Sequence, residues 1–258
     1  MSLQGRCRLA AAAMLALAAL LVVACPGCGD DGEGAYGEEA ENRDEVFCEE
    51  RDGGAGGGET GVRGADVVHM CGRSVLGGWF DYWGWDYDPE NPVRFGSRCL
   101  VYHEMEVPPE IVDSARDAAR EAAEGGGDMF FKLCFDDFTG GDEPGARENL
   151  RSNREIVREV VENAVEDKGL TLILGNALPK VREYTDEWLV WNQREYNRFL
   201  DELAREYGER AVVLDLYGVL AASGGWLRPE YTDDPYDSHL NADAYRALDG
   251  ELSKALGE

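Results

Sequence analysis

Ala65-Asp66-Val67-Val68-His69-Met70-Cys71-Gly72-Arg73-Ser74 is the stretch that decides the fold class of this chain. A short apolar run closed by glycine suits a strand buried on both faces, as in a parallel sheet. Gly72 permits a tight turn, so Ser74 falls at the strand's C-terminal end, the edge where open α/β sheets bind ligands. A helix that starts at Ser74 aims its free backbone N–H groups outward, where they serve a developing oxyanion. A serine at this position also fits a helix N-cap, for the same dipole reason.

Working outward, four more strands are expected: one opening at Cys99-Leu100-Val101-Tyr102, then Met129 to Phe135, Leu170 to Leu174, and Ala211 to Leu216. Helical periodicity lies between them. Pro108-Pro109 precedes a helix from Ile111 to Glu124, with Ile111, Ala115, Ala118, Ala119 and Ala122 on one face, and Gly125-Gly126-Gly127 stops it. A second helix runs from Glu148 to Asp167 through Ile156, Val157, Val160, Val161 and Ala164, and a third from Glu187 to Tyr207 buries Leu189, Asn192, Tyr196, Phe199 and Leu203. Strand and helix alternate five times, which predicts a three-layer α/β/α domain with a five-stranded parallel sheet over residues 65–258.

Three loops meet at the edge that carries Ser74. Asp136-Asp137-Phe138 leaves the third strand and Gly175-Asn176-Ala177 the fourth. After the last strand comes Asp233-Asp234-Pro235-Tyr236-Asp237-Ser238-His239-Leu240-Asn241, just before a helix for which Asn241 is the expected N-cap. A histidine among carboxylates suits a general base held by an aspartate and serving an upstream nucleophile. Read without Ser74, the same stretch is an acidic loop favouring the positive end of a helix dipole. Asp136, Asp137 and Asp142 lack the alternation of a calcium loop, so neither a metal nor another cofactor is expected.

Gly72-Arg73-Ser74-Val75, Cys134-Phe135-Asp136-Asp137 and Tyr236-Asp237-Ser238-His239 together resemble the SGNH (GDSL-type) hydrolases, over roughly residues 67–256. The resemblance implies a flavodoxin-like sheet, Ser74 as nucleophile, His239 as base and Asp237 as its orienting carboxylate. It also implies oxyanion donors from a glycine and an asparagine at the next two strand exits. The chain departs from the family at several of these positions. Arg73 stands where Asp is usual, and Tyr236 stands three residues before His239, where the family has Asp. No glycine marks the second block, where Tyr102-His103-Glu104-Met105-Glu106 runs into Pro108. Asp136 occupies the place of the amide donor, and Asn176 is the candidate to supply that amide. Gly72, Asp136 and Asn176 are thus the candidate oxyanion neighbours. Trp79 and Trp83, in a segment crowded with aromatics, are candidates for stacking on a sugar face beside Ser74.

The front of the chain is read separately. Arg6 and Arg8 precede an apolar run from Leu9 to Ala24, shorter than a comfortable membrane span of about 20 residues. Leu21-Val22-Val23-Ala24-Cys25 resembles a bacterial lipobox, which implies that residues 1–24 are a signal peptide and that Cys25 is acylated. Pro26 to Gly64 holds 12 Asp or Glu against 3 Arg together with a glycine run, so residues 25–64 are expected to form a flexible acidic tether. Beyond Cys25 stand Cys28, Cys48, Cys71, Cys99 and Cys134, and Cys48 with Cys99 is the expected disulfide.

Over 258 residues the net charge is -27. That balance disfavours nucleic acid and anionic membrane surfaces as partners, and it repels acidic substrates. The expectation is an exported monomer, held at the bacterial cell envelope only through its lipid, that hydrolyses a neutral ester such as an acylated glycan. The alternative from another class is a domain of the same fold that has lost its chemistry and binds a glycan or partner at the cell surface.

Overall fold

In the computed structural model, residues 67–85 and 92–258 are described. The segments expected as signal peptide (1–24) and tether (25–64), with Cys25, Cys28 and Cys48, lie outside them. Val67–Gly72 forms strand β1, followed at once by helix α1, Ser74–Tyr82. Strand β2 is Val93–Phe95, β3 is Arg98–Glu104, β4 is Asp128–Lys132, β5 is Leu172–Gly175 and β6 is Ala211–Leu214. The sheet order is β2-β3-β1-β4-β5-β6. β1 pairs in parallel with β3 (Val68 opposite Leu100) and with β4 (Met70 opposite Phe130), and β5 and β6 extend the parallel run.

The five parallel strands are those expected from the sequence. β2 corrects the count to six: it runs antiparallel to β3 at the edge, with Arg94 opposite Cys99. Val93-Arg94-Phe95 is too short for any periodicity to stand out, and edge strands are often kept short. Gly96, at φ +56°, makes the turn into β3, and the Glu258 carboxylate accepts the Ser97 N–H at 3.1 Å, pinning this hairpin to the C-terminus.

The remaining helices are α2 (Ile111–Gly125), α3 (Glu143–Val161), α4 (Glu187–Tyr207), α5 (Leu216–Leu220) and α6 (Ala242–Leu256). Alternating strand residues feed two cores. Val68, Met70, Phe130 and Ile173 pack with α1, α5 and α6, whereas Cys71, Met129, Phe131 and Leu172 pack with α2, α3 and α4. This is the three-layer α/β/α arrangement. Phe130 and Phe131 are each fully buried, one in each core, and each such side chain contributes roughly 1.5–3 kcal/mol of transfer free energy.

Several element boundaries differ from expectation, three of them for plain local reasons. α3 begins at Glu143 rather than Glu148, because Asp142 caps it by accepting the Gly145 N–H at 2.7 Å and Pro144 fits the first turn. β4 ends at Lys132, and Phe135–Asp137 forms a 3-10 turn. β6 ends at Leu214, because Asp215 caps α5 through the Gly218 N–H at 2.8 Å. Cys71 and Cys134 are free and buried, and Cys99 is disulfide-bonded. The expected partner of Cys99, Cys48, is not among the described residues. No helix among those residues is long and apolar enough to cross a membrane.

Candidate active site

Ser74 is the first residue of α1, so its position follows from the turn that β1 must make to start that helix. A side chain at Gly72 would press on Leu76, with a Cβ only 3.0 Å from Leu76 Cδ2, which is why glycine precedes this turn. Inside α1, Gly78 allows the close approach of α6: a Cβ there would meet the Tyr245 hydroxyl at 2.4 Å, and that hydroxyl donates to the Val75 carbonyl at 3.1 Å. α1 is thereby locked between the sheet and α6, and Ser74 is fixed at the sheet's C-terminal edge.

His239 reaches the same point from the loop before α6. Its Nε2 lies 3.0 Å from Ser74 Oγ, and its Nδ1 lies 2.6 Å from Asp237 Oδ1. Asp237 is only two residues before His239, yet it bends back far enough to accept the His239 backbone N–H as well, at 3.0 Å. Those two bonds, backbone first, hold its carboxyl below the ordinary carboxylate value. The acceptor so formed favours a proton on Nδ1 and leaves the Nε2 lone pair for the Ser74 hydroxyl. Tyr236 is 62 % exposed, and at the Asp237 spacing no carboxylate is needed in its place.

The loop is held by its own polar groups. Buried Ser238 accepts the Val181 N–H at 3.1 Å, and the Thr232 hydroxyl lies 2.9 Å from both the Asp234 and Asp237 carbonyls. Asn241 caps α6 by accepting the Ala244 N–H at 3.2 Å, while its amide donates back to the Glu230 carbonyl and to Asp233. The Phe135 ring stands edge-on to the His239 ring at 5.3 Å, bringing the exit of β4 against the histidine.

At that exit the sequence departures find partners. The Arg73 guanidinium donates to the Asp137 carboxylate, which also accepts the Cys134 N–H at 2.7 Å. Burial raises the Asp137 carboxyl above its ordinary value, and the Cys134 amide and Arg73 pull it back. The Asp137 carbonyl accepts the side-chain amides of Asn149 and Asn153, each at 2.9 Å. Lys132, at the end of β4, is buried in the same neighbourhood, and its ammonium has no hydrogen-bond partner among the described residues. Desolvation lowers its pKa, and the nearby Cys134 and Asp137 oppose that. Arg73, which departs from the residue that the resemblance implies, is thus paired with an acid, Asp137.

The other expected neighbours of the oxyanion have partners of their own. Asp136 is exposed and pairs with Lys180 Nζ at 3.2 Å. Asn176 does not serve Ser74: its amide donates to Asp215 at 2.8 Å and its carbonyl oxygen accepts the Tyr217 N–H at 2.7 Å, stitching the β5 exit to the start of α5. The Gly72 carbonyl accepts the Met105 N–H at 3.0 Å, so Gly72 and the β3 exit bond to each other. Trp79 is 1 % exposed and offers no face to a sugar; its indole N–H and that of Trp83 both donate to Asp249, at 2.9 and 3.0 Å. Trp83 is half-buried against Trp79, Phe80 and Phe95. The aromatic segment is core between α1 and α6, as the size of its rings favours.

Away from Ser74, buried His69 and half-buried His103 meet across β1 and β3, with His69 Nδ1 2.8 Å from His103 Nε2. Desolvation, then the neighbouring ring, lowers the His69 pKa to about 4, and desolvation also lowers that of His103.

A mostly parallel sheet between two helical layers, as seen here, is the fold of the SGNH (GDSL-type) hydrolases. Solved structures share it, among them two from Bacteroides species. One is described as a "putative acylhydrolase" from Bacteroides fragilis NCTC 9343, 16% identical, with a TM-score of 0.54 over 74% of this chain and 86% of that one. The other is a GDSL-like lipase from Bacteroides thetaiotaomicron VPI-5482, 13% identical, with a TM-score of 0.53 over 76% of this chain and 90% of that one. No family model and no curated protein matches the chain.

Proposed function

We propose that the chain is an exported, lipid-anchored carboxylic ester hydrolase in which Ser74 is the nucleophile, His239 the general base and Asp237 the group that orients it. The observation that carries this reading is the continuous contact from Asp237 through both ring nitrogens of His239 to Ser74 Oγ. In the acylation step His239 Nε2 takes the Ser74 hydroxyl proton as Oγ bonds to the acyl carbon. The carbonyl oxygen becomes an oxyanion, and the Ser74 backbone N–H, at the first position of α1, is the donor that serves it. Asp237 stabilises the imidazolium. When the C–O bond breaks, Nε2 returns the proton to the departing alkoxide, leaving an acyl-Ser74 ester. Water, deprotonated by the same nitrogen, then releases the carboxylic acid and restores the hydroxyl.

The substrate class that fits is a neutral acyl ester of the kind carried by acylated glycans, because a net charge of -27 disfavours anionic ones. Purified chain is expected to hydrolyse short-chain p-nitrophenyl esters, and Ser74→Ala and His239→Ala each to lose at least about 10³ in kcat/KM, since triad members act as a unit. Hydrolysis that survives either change would overturn the mechanism.

A second reading is favoured by the carboxylate at Asp136 and the commitment of Asn176 to Asp215 and Tyr217. Together they leave the oxyanion with fewer side-chain donors than the family resemblance implies. In that case the domain binds a surface glycan without turnover, and glycan binding by a chain inactive on every ester tested would favour it. Anchoring is tested separately: Cys25→Ala is expected to move the protein from the detergent phase to the aqueous phase, and equal partitioning of the two forms would contradict acylation.

A further inference from the structure

We infer that His69, His103 and Glu121 form a binding site for a divalent transition-metal ion of the zinc class, separate from the Ser74 centre. One ligand atom from each of the three lies within 4.8 Å of the others. The register explains the two histidines. His69 pairs with Val101 and Cys71 with His103, so His103 sits two residues diagonally from His69 on adjacent strands and on one face of the sheet. Their rings stack at 5.0 Å between centroids, 23° apart. Residues on either side of His69, Val68 and Met70, belong to the core beneath α1 and α6, so His69 itself projects to the opposite face, where α2 packs and brings Glu121.

Two imidazole nitrogens 2.8 Å apart must share one proton, since two facing N–H groups would repel. A change of tautomer in the donor ring moves that proton to its outer nitrogen, and both facing nitrogens then present the lone pairs that a metal ion accepts. A tetrahedral ion with bonds of about 2.0–2.1 Å sets two nitrogens about 3.3 Å apart, so roughly half an ångström of ring movement admits it. Glu121 is exposed and free to turn inward, whereas His69 is 5 % exposed and fixed by the strand. The donor set decides the ion. Two imidazoles and one carboxylate suit zinc and its neighbours in the transition series, whereas calcium and magnesium require a shell of oxygens.

Access comes from an open cavity of about 500 Å³ lined by His103, Glu104, Asp117, Arg120, Glu121 and Glu124. Four carboxylates against one guanidinium make it a cation-attracting mouth, with room for water as a fourth ligand. A bound ion would tie β1, β3 and α2 together, and so clamp a helix to the sheet in the manner of a structural site.

The test is a zinc chloride titration of the untagged, chelator-treated full chain in detergent micelles, followed by calorimetry and by thermal unfolding. The expected result is one saturable site whose occupancy raises Tm by several degrees, with no response to magnesium or calcium. His103→Gln and Glu121→Gln should each weaken it at least about 10-fold. Glu121 is exposed, so its variant keeps the test valid even where a histidine substitution disturbs folding. Absence of a saturable site, or zinc binding as tight in Glu121→Gln and His103→Gln as in the parent chain, would overturn the inference.

Discussion

The His239 and Asp237 side chains lie about half in solvent, at 48 % and 51 % exposure, whereas the Arg73–Asp137 pair beside Ser74 is buried, at 17 % and 4 %. The exposed pair adds little to stability, because water screens it, so its contact with Ser74 is best understood through chemistry. The buried pair sits where desolvation makes an unmatched charge expensive, so its two members are held together by the fold. The contrast shows that the two ends of the site are held by different forces. At the His239 end, Asp237 reaches the ring from two residues away, and its bond to the His239 backbone N–H holds it there. At the exit of β1, Arg73 has its counter-charge in Asp137, which stands at the exit of β4.

The comparison breaks most visibly at Arg73. Arg73→Ala would strand a buried carboxylate, and a loss of about 3 kcal/mol in unfolding free energy is expected from denaturant midpoints. A loss below about 1 kcal/mol would mean that Lys132 alone balances Asp137. Asn176 sharpens it next. As a stitch between Asp215 and Tyr217, Asn176→Ala should cost about 1–3 kcal/mol of stability while kcat/KM of the folded enzyme stays within about 3-fold. A fall of about 10² or more at unchanged stability would restore Asn176 as an oxyanion donor.

How much of this was legible in the sequence follows the same division. Parallel strands, their helices and the Asn241 cap were readable, because hydrophobic period and capping chemistry act over a few residues. Ser74, His239 and Asp237 were also readable as a set, since each stands at a strand exit or before a helix on one edge of the sheet. Pairing across distance was not. Nothing local tells Arg73 that its partner lies 64 residues on, or distinguishes a buried Trp79 from an exposed one. His69 and His103 were hidden for another reason: each sits in a strand whose apolar pattern it interrupts once, and only the register brings them together.

The central claim is that Ser74 is an activated nucleophile, and active-site labelling tests it most directly. On treatment with a fluorophosphonate the purified chain should gain one covalent adduct, located at Ser74 by peptide mass spectrometry, because Ser74 Oγ lies 3.0 Å from His239 Nε2. In His239→Ala the adduct should form at least about 10³ times more slowly, for want of the base. An unmodified Ser74, or labelling that proceeds equally fast without His239, would contradict the account and leave Ser74 as the first residue of a helix.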